Sequence, residues 1–261
     1  MLLAIDCGNT NTVFAVFDDA GTIVGEWRSS TATNRTADEI GVWLLQLMRI
    51  ARIDSAHIDA AIIATVVPAA LFNLRLMCRR YFECQPLVVG TPEVDLGIEV
   101  HLDRPEEVGA DRLVNAVAAK AEYGGPLIIV DFGTATTFDV TDAAGDYLGG
   151  AIAPGVNLSL EVLHNAAAQL PRVAVGRPDR VIGRNTVQAM RSGIFWGYVG
   201  LIEGMIIRIR AELGQEARAI ATGGLATLFS GATPLLEHAD PDLTLKGLLI
   251  LHQRNGHPAE A

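Results

Sequence analysis

The sequence is poor in cysteine. Cys7, Cys78 and Cys84 are an odd number without Cys-x-x-Cys spacing, which fits neither a disulfide framework nor a zinc site and suits a reducing compartment. It also lacks a basic surplus: 20 Lys and Arg stand against 30 Asp and Glu, the formal charge is −10, the pI is near 5.0, and no Lys/Arg run exceeds two. Little here would neutralise a phosphate backbone, so no nucleic-acid partner is expected. Long apolar runs are missing as well. The most hydrophobic stretch, 192–207, is shorter than the roughly 20 residues a bilayer crossing needs and contains Glu203. The opening run from Met1 to Ile5 has no basic flank and ends at Asp6, so it reads as a buried strand rather than a signal peptide. A cytoplasmic protein without a membrane partner is expected. Finally, Gly-x-x-x-x-Gly-Lys and Gly-x-Gly are both absent, which disfavours P-loop kinases and dinucleotide dehydrogenases.

What is present is a globular composition, 50% apolar over 261 residues, enough for one large or two small domains. Within it one segment occurs twice. Residues 3–12 are echoed by 128–137, with Asp6, Gly8 and Thr12 matching Asp131, Gly133 and Thr137. Past a single-residue gap, Asp18, Gly21 and Gly25 match Asp142, Gly145 and Gly149. Each copy reads as an apolar run, an Asp-x-Gly turn, an alternating segment and a second Gly turn, the pattern of an antiparallel meander. Between the copies, Thr36 and Glu39 form a capping box for a helix whose apolar face holds Ile40, Trp43, Leu44, Leu47 and Met48. A strand at 61–67, a helix at 68–82, a strand at 87–89 and a helix at 107–122 follow. After the second copy come helices at 157–168 and 185–213, the latter very long and with room for a break, and a strand at 218–221. Strands then helices, twice over, indicate an α/β fold of two related halves, 1–124 and 125–261.

The Asp-x-Gly turn has two readings. Asx and Gly favour tight turns for conformational reasons alone. Equally, Gly8 permits close backbone approach, the amides and hydroxyls of Cys7, Asn9, Thr10, Asn11, Thr12 and Val13 could surround anionic oxygens, and Asp6 could hold a cation or its water. Two copies of one turn at the same place in two halves would face each other across a cleft, an arrangement hard to explain as turn chemistry.

Paired hairpins of this kind resemble the duplicated, ribonuclease H-like ATPase fold of actin and the sugar kinases. The motifs around Asp6, Gly109, Asp131, Gly149, Ile182 and Thr222 narrow the resemblance: in order and spacing they are similar to type III pantothenate kinases over nearly the whole chain. That resemblance implies ATP-dependent phosphorylation of pantothenate, the first committed step toward coenzyme A, with Mg²⁺, a monovalent cation (K⁺ or NH₄⁺) and a homodimer. Residue by residue, it implies that Asp6, Cys7, Gly8, Asn9, Thr10, Asn11, Thr12 and Val13 form the first phosphate loop and that Thr134, Gly223 and Gly224 also bind ATP. Asp131 would ligate the monovalent cation. Gly109, Ala110, Asp111, Arg112 and Thr186 would hold pantothenate, with Asp111 as proton acceptor.

Plainer roles exist for several of these residues. Asp111 could be a helix N-cap, Arg112 a surface cation, Thr186 a first-turn residue after Asn185, and Cys7 a small filler under the turn. The six histidines, His57, His101, His164, His238, His252 and His257, form no pair spaced for a metal. Gly193, Gly197, Gly200 and Gly204 make a bare stripe that permits close helix approach, within the subunit or across a dimer axis. One departure lies at Leu102 and Arg104, where many relatives carry Tyr and Asn. It keeps open a kinase of another small hydroxy acid or sugar; a non-catalytic regulatory homologue is the other alternative.

Overall fold

A computed structural model describes residues 1–166 and 170–256. The first sheet is built from β1 (Leu2–Cys7), β2 (Asn11–Phe17), β3 (Ile23–Ser30), β4 (Ala60–Thr65) and β5 (Leu87–Val88), in the order β3-β2-β1-β4-β5. β1 pairs antiparallel with β2 and parallel with β4. Alternation along β1 serves two cores. Leu3, Ile5 and Cys7 face helices α1 (Ala37–Ile50) and α2 (Pro68–Tyr81), while Leu2 and Ala4 face α3 (Ala110–Tyr123) and α7 (Leu243–Asn255). The expected capping box opens α1: the Glu39 N–H donates to Thr36 Oγ1 (3.3 Å) and the Thr36 N–H to Glu39 Oε2 (2.8 Å).

The second sheet repeats the first. β6 (Leu127–Phe132), β7 (Ala135–Thr141), β8 (Tyr147–Pro154), β9 (Arg218–Gly223) and β10 (His238–Ala239) lie in the order β10-β9-β6-β7-β8. Asp6 pairs with Val13 and Ala64; Asp131 pairs with Thr137 and Thr222. Even the register irregularities match, between Val16 and Phe17 in one copy and Val140 and Thr141 in the other. Asp18 and Asp142 close identical turns, each accepting two backbone N–H groups on Oδ1. One face of this sheet packs on α5 (Thr186–Leu213) and α6 (Ala226–Ser230), where Phe229 stacks on Phe132 at 4.9 Å and on Phe195 at 5.4 Å. Helix α4 (Val156–Ala166) follows β8.

Several expectations are corrected. The repeat's one-residue gap falls inside the turn after β1, because Thr12 pairs with Cys7 as Thr136, not Thr137, pairs with Phe132. Helix α3 starts at Ala110 rather than 107; Pro105–Glu107 forms a separate 3-10 turn, and Gly109 O accepts the first helical bonds. Helix α5 is continuous over 28 residues. By length and composition it could cross a membrane, with a third of its most apolar window buried. The compact units also differ from 1–124 and 125–261. The first comprises Met1–Glu99, Asp103–Ala118 and the described residues from Leu243 onward; the second comprises Val100–Leu102 and Ala119–Asp242. Helix α7 joins the first unit because Leu245, Leu248 and Leu251 bury against Leu2, Ala4 and Ile62. Residues 167 and 168 of the expected helix, and His257, lie outside the described residues.

Candidate active site

In the first unit the candidate residues gather at the carboxyl end of the central parallel pair β1 and β4. The turn after β1 is fixed by its own backbone, the Gly8 N–H donating to Asn11 O at 3.0 Å. Thr31, beyond the end of β3, ties it down further. Its hydroxyl donates to Gly8 O (2.7 Å) and lies 2.9 Å from Thr12 Oγ1, and its N–H donates to Thr10 O. Asn9, Thr10 and Asn11 are exposed, whereas Cys7 and Thr12 are buried with the Thr12 hydroxyl 3.4 Å from Cys7 Sγ. The side chain of Cys7 is therefore core, as its plainer reading held, and only its backbone can face a ligand.

Helix α3 starts beside this turn. Val66 donates its N–H to Cys7 O (3.1 Å), and the Val66 side chain abuts Gly109, where an added Cβ would lie 3.1 Å from Val66 Cγ1 and 2.5 Å from Asp111 Oδ1. Gly109 thus leaves room for the Asp111 carboxylate in the first turn of α3. The helix cap position is Gly109, and Asp111 Oδ1 accepts the Arg112 N–H at 2.8 Å. Asp111 and Arg112 are both half-buried. Asp6 lies on the sheet face packed by α3, so a carboxylate at the strand end and another at the helix start share one end of the unit. A helix N-terminus also carries partial positive charge and free N–H groups suited to anions.

The second unit repeats the geometry. The turn after β6 is only Gly133 and Thr134, both exposed, with the Gly133 N–H on Ala135 O (3.0 Å) and the Gly155 N–H on Thr134 O (3.1 Å). Gly155 is required there because a Cβ would overlap the Thr134 carbonyl. At the end of β9, Gly223 adopts φ +83°, and its missing Cβ leaves space for Asp131 Oδ1; Gly224 is open to solvent. Asp131, Thr134, Gly223 and Gly224 are thus brought together at the carboxyl ends of β6 and β9. Thr186 opens α5 in this unit, exposed, next to Asn185, whose side chain caps the helix through the Gln188 N–H (2.9 Å). The other pantothenate candidates belong to the first unit. Arg104 pairs with Glu107 at 2.5 Å, and Leu102 covers Gly149.

Sequence reasoning missed Thr31, whose role depends on pairing that no local pattern announces. It also missed Asp139 and Tyr147, which share a face of the second sheet with Thr137 and Thr222, because alternation in β7 and β8 reads simply as strands and the motifs that hold Thr137 and Thr222 do not reveal their shared face.

Residues 2–208 match the family model of type III pantothenate kinase. A type III pantothenate kinase of Paramagnetospirillum magneticum is 66% identical over 258 residues, covering 99% of each chain. One from Rhodospirillum rubrum is 66% identical over 256 residues, covering 98% of this chain and 99% of that one. Among solved structures, a 2-dehydro-3-deoxygalactonokinase candidate from Sinorhizobium meliloti superposes with a TM-score of 0.57 at 15% identity, over 100% of this chain and 99% of that chain. It shares the fold.

Proposed function

The chain belongs to the type III pantothenate kinase family, and from that premise we propose how its own residues divide the work of phosphorylating pantothenate with ATP in coenzyme A biosynthesis. Phosphoryl transfer asks the protein mainly for alignment and for stabilisation of charge. The exposed turn residues Asn9, Thr10 and Asn11 offer side-chain donors to the phosphates, and Thr134, Gly223 and Gly224 add donors from the second copy. Arg112, at the positive end of α3, pairs with the carboxylate of pantothenate. Thr186 hydrogen-bonds the same substrate.

The donor sets fit the cations such a reaction uses. Asp6 stands between apolar Val13 and Ala64 on its sheet face, one carboxylate of the kind Mg²⁺ takes while keeping waters and sharing phosphate oxygens. Asp131 stands between the hydroxyl-bearing Thr137 and Thr222, an oxygen set that suits K⁺ or NH₄⁺. When bound, these cations supply neutralisation of phosphate charge.

Homodimerisation is part of the proposal. Gly193, Gly197 and Gly200 would each point a Cβ into open space, and Ile207 continues their stripe at 57% exposure. The occupant of that face is a second copy. A cytoplasmic location without nucleic-acid or membrane partners fits a metabolic kinase with a pI near 5.0.

The observation that carries the reading is Asp111, half-buried beside the first phosphate turn in space that Gly109 keeps open. It aligns the pantothenate hydroxyl and accepts its proton as the bond to phosphorus forms and the bond to ADP breaks. Asp111→Asn keeps the shape and removes the proton acceptance. Its kcat should fall on the order of 10²–10⁴ with the KM for ATP little changed. If kcat stayed within about tenfold of wild type, the carboxylate would be only a helix-start residue.

A further inference from the structure

The second copy of the duplicated sheet buries polar groups that the first copy does without. On the face that carries Asp131, the matched registers align Thr137, Asp139, Thr141, Tyr147 and Thr222 with Val13, Ala15, Phe17, Ile23 and Ala64. All five first-copy residues are apolar and join or border a core. The fold therefore does not require polarity at these positions. Asp139 is fully buried, and a buried carboxylate is costly unless it is well bonded. It is bonded: Tyr147 donates its hydroxyl to Oδ1 at 2.7 Å and Thr137 donates to Oδ2 at 2.9 Å.

A hydroxyl has one proton. Because Thr137 gives its proton to Asp139, it presents only lone pairs in every other direction. Thr137 is the cross-strand neighbour of Asp131 on β7, and Thr222 is its neighbour on β9. Thr222 is 1% exposed, and its hydroxyl has no hydrogen-bond partner among the described residues. Adjacent strands lie about 4.8 Å apart, so the three side chains form a row of oxygens.

We propose that Asp139 is a positioning residue for the monovalent-cation site: by holding the Thr137 proton it turns that hydroxyl's lone pairs toward the Asp131 side, and Thr222 completes the row from β9. The inference rests on the reading of Asp131 as the cation's ligand. It also explains why the two equivalent aspartates do different work. The cross-strand neighbours of Asp6 are the apolar Val13 and Ala64, whereas those of Asp131 are Thr137 and Thr222, each with a hydroxyl that can replace a cation's water.

The test titrates KCl at constant ionic strength, balanced with tetramethylammonium chloride, against the melting temperature of the full chain with Mg²⁺ and a non-hydrolysable ATP analogue. The K⁺ activation of pantothenate phosphorylation is followed in parallel. Asp139→Ala combined with Tyr147→Phe restores first-copy apolarity without stranding the tyrosine hydroxyl, and Thr137→Val removes the oriented oxygen while keeping its shape. Each should raise the K⁺ midpoint about tenfold or more in both readouts, with the KM for ATP at saturating K⁺ unchanged, and Thr137→Ser should restore it. Midpoints within about twofold of a K⁺-responsive wild type would overturn the role of Asp139 and leave the reading of Asp131 intact. A wild type whose melting and activity both ignore K⁺ would overturn the two together. Should the Asp139 variant fail to fold, Thr137→Val decides alone.

Discussion

Gly223 and Gly224 are adjacent, yet their surroundings differ. At Gly223 the backbone is left-handed, and an added Cβ would overlap the Asp131 carboxylate and lie 2.8 Å from Phe132 O; at Gly224 it would meet nothing within 4 Å. Gly223→Ala should therefore cost about 1–3 kcal/mol in denaturant unfolding, whereas Gly224→Ala should leave unfolding unchanged. Equal midpoints for the two variants would contradict the close approach of Gly223 to Asp131. At this scale the sequence was readable where a residue recurs: Asp6 and Asp131 stand out because the same turn occurs twice. Thr137 was misread for the same reason. The ungapped echo set it against Thr12, whereas the pairing sets it against Val13, and only that register brings its hydroxyl to the face of Asp131.

Among the elements, α1 was readable from its capping box and apolar stripe, since both signals are local. The association of α7 with the first sheet was not, because periodicity identifies a buried face without identifying what buries it. Polar contacts help fix that association. Arg254 Nε donates to Asp95 Oδ2 at 2.7 Å, the Gly97 N–H donates to Asp95 Oδ1 at 2.9 Å, and Asn255 exchanges bonds with the Asp95 backbone. The Gly97 N–H, and after it Arg254, hold the Asp95 carboxyl below its ordinary range. A depressed folded-state value means that the carboxylate contributes stability above its unfolded pKa and loses it as pH falls through the folded value. Asp95→Asn should thus lower the melting temperature at pH 7 by about 1–3 °C, a small effect because the pair is solvent-exposed. The gap between variant and wild type should close as pH drops below about 4. A gap that persisted unchanged into acid would show that the carboxylate's charge is not what stabilises this contact.

At the scale of the whole molecule, the duplicated architecture was legible in the spacing of Asp, Gly and turn residues, while the division into units was not, since the chain returns through α7 to the unit it started from. The exposed Gly193, Gly197 and Gly200 stripe predicts that light scattering will give a mass near twice 27.8 kDa. A monomer with full activity would contradict the dimer. The most direct test of the account is ADP release by the purified protein with ATP and Mg²⁺, with and without pantothenate, in K⁺ and in Na⁺ at equal ionic strength. The account predicts release that depends on pantothenate and is faster in K⁺; release indifferent to pantothenate, or evoked only by sugars, would contradict it.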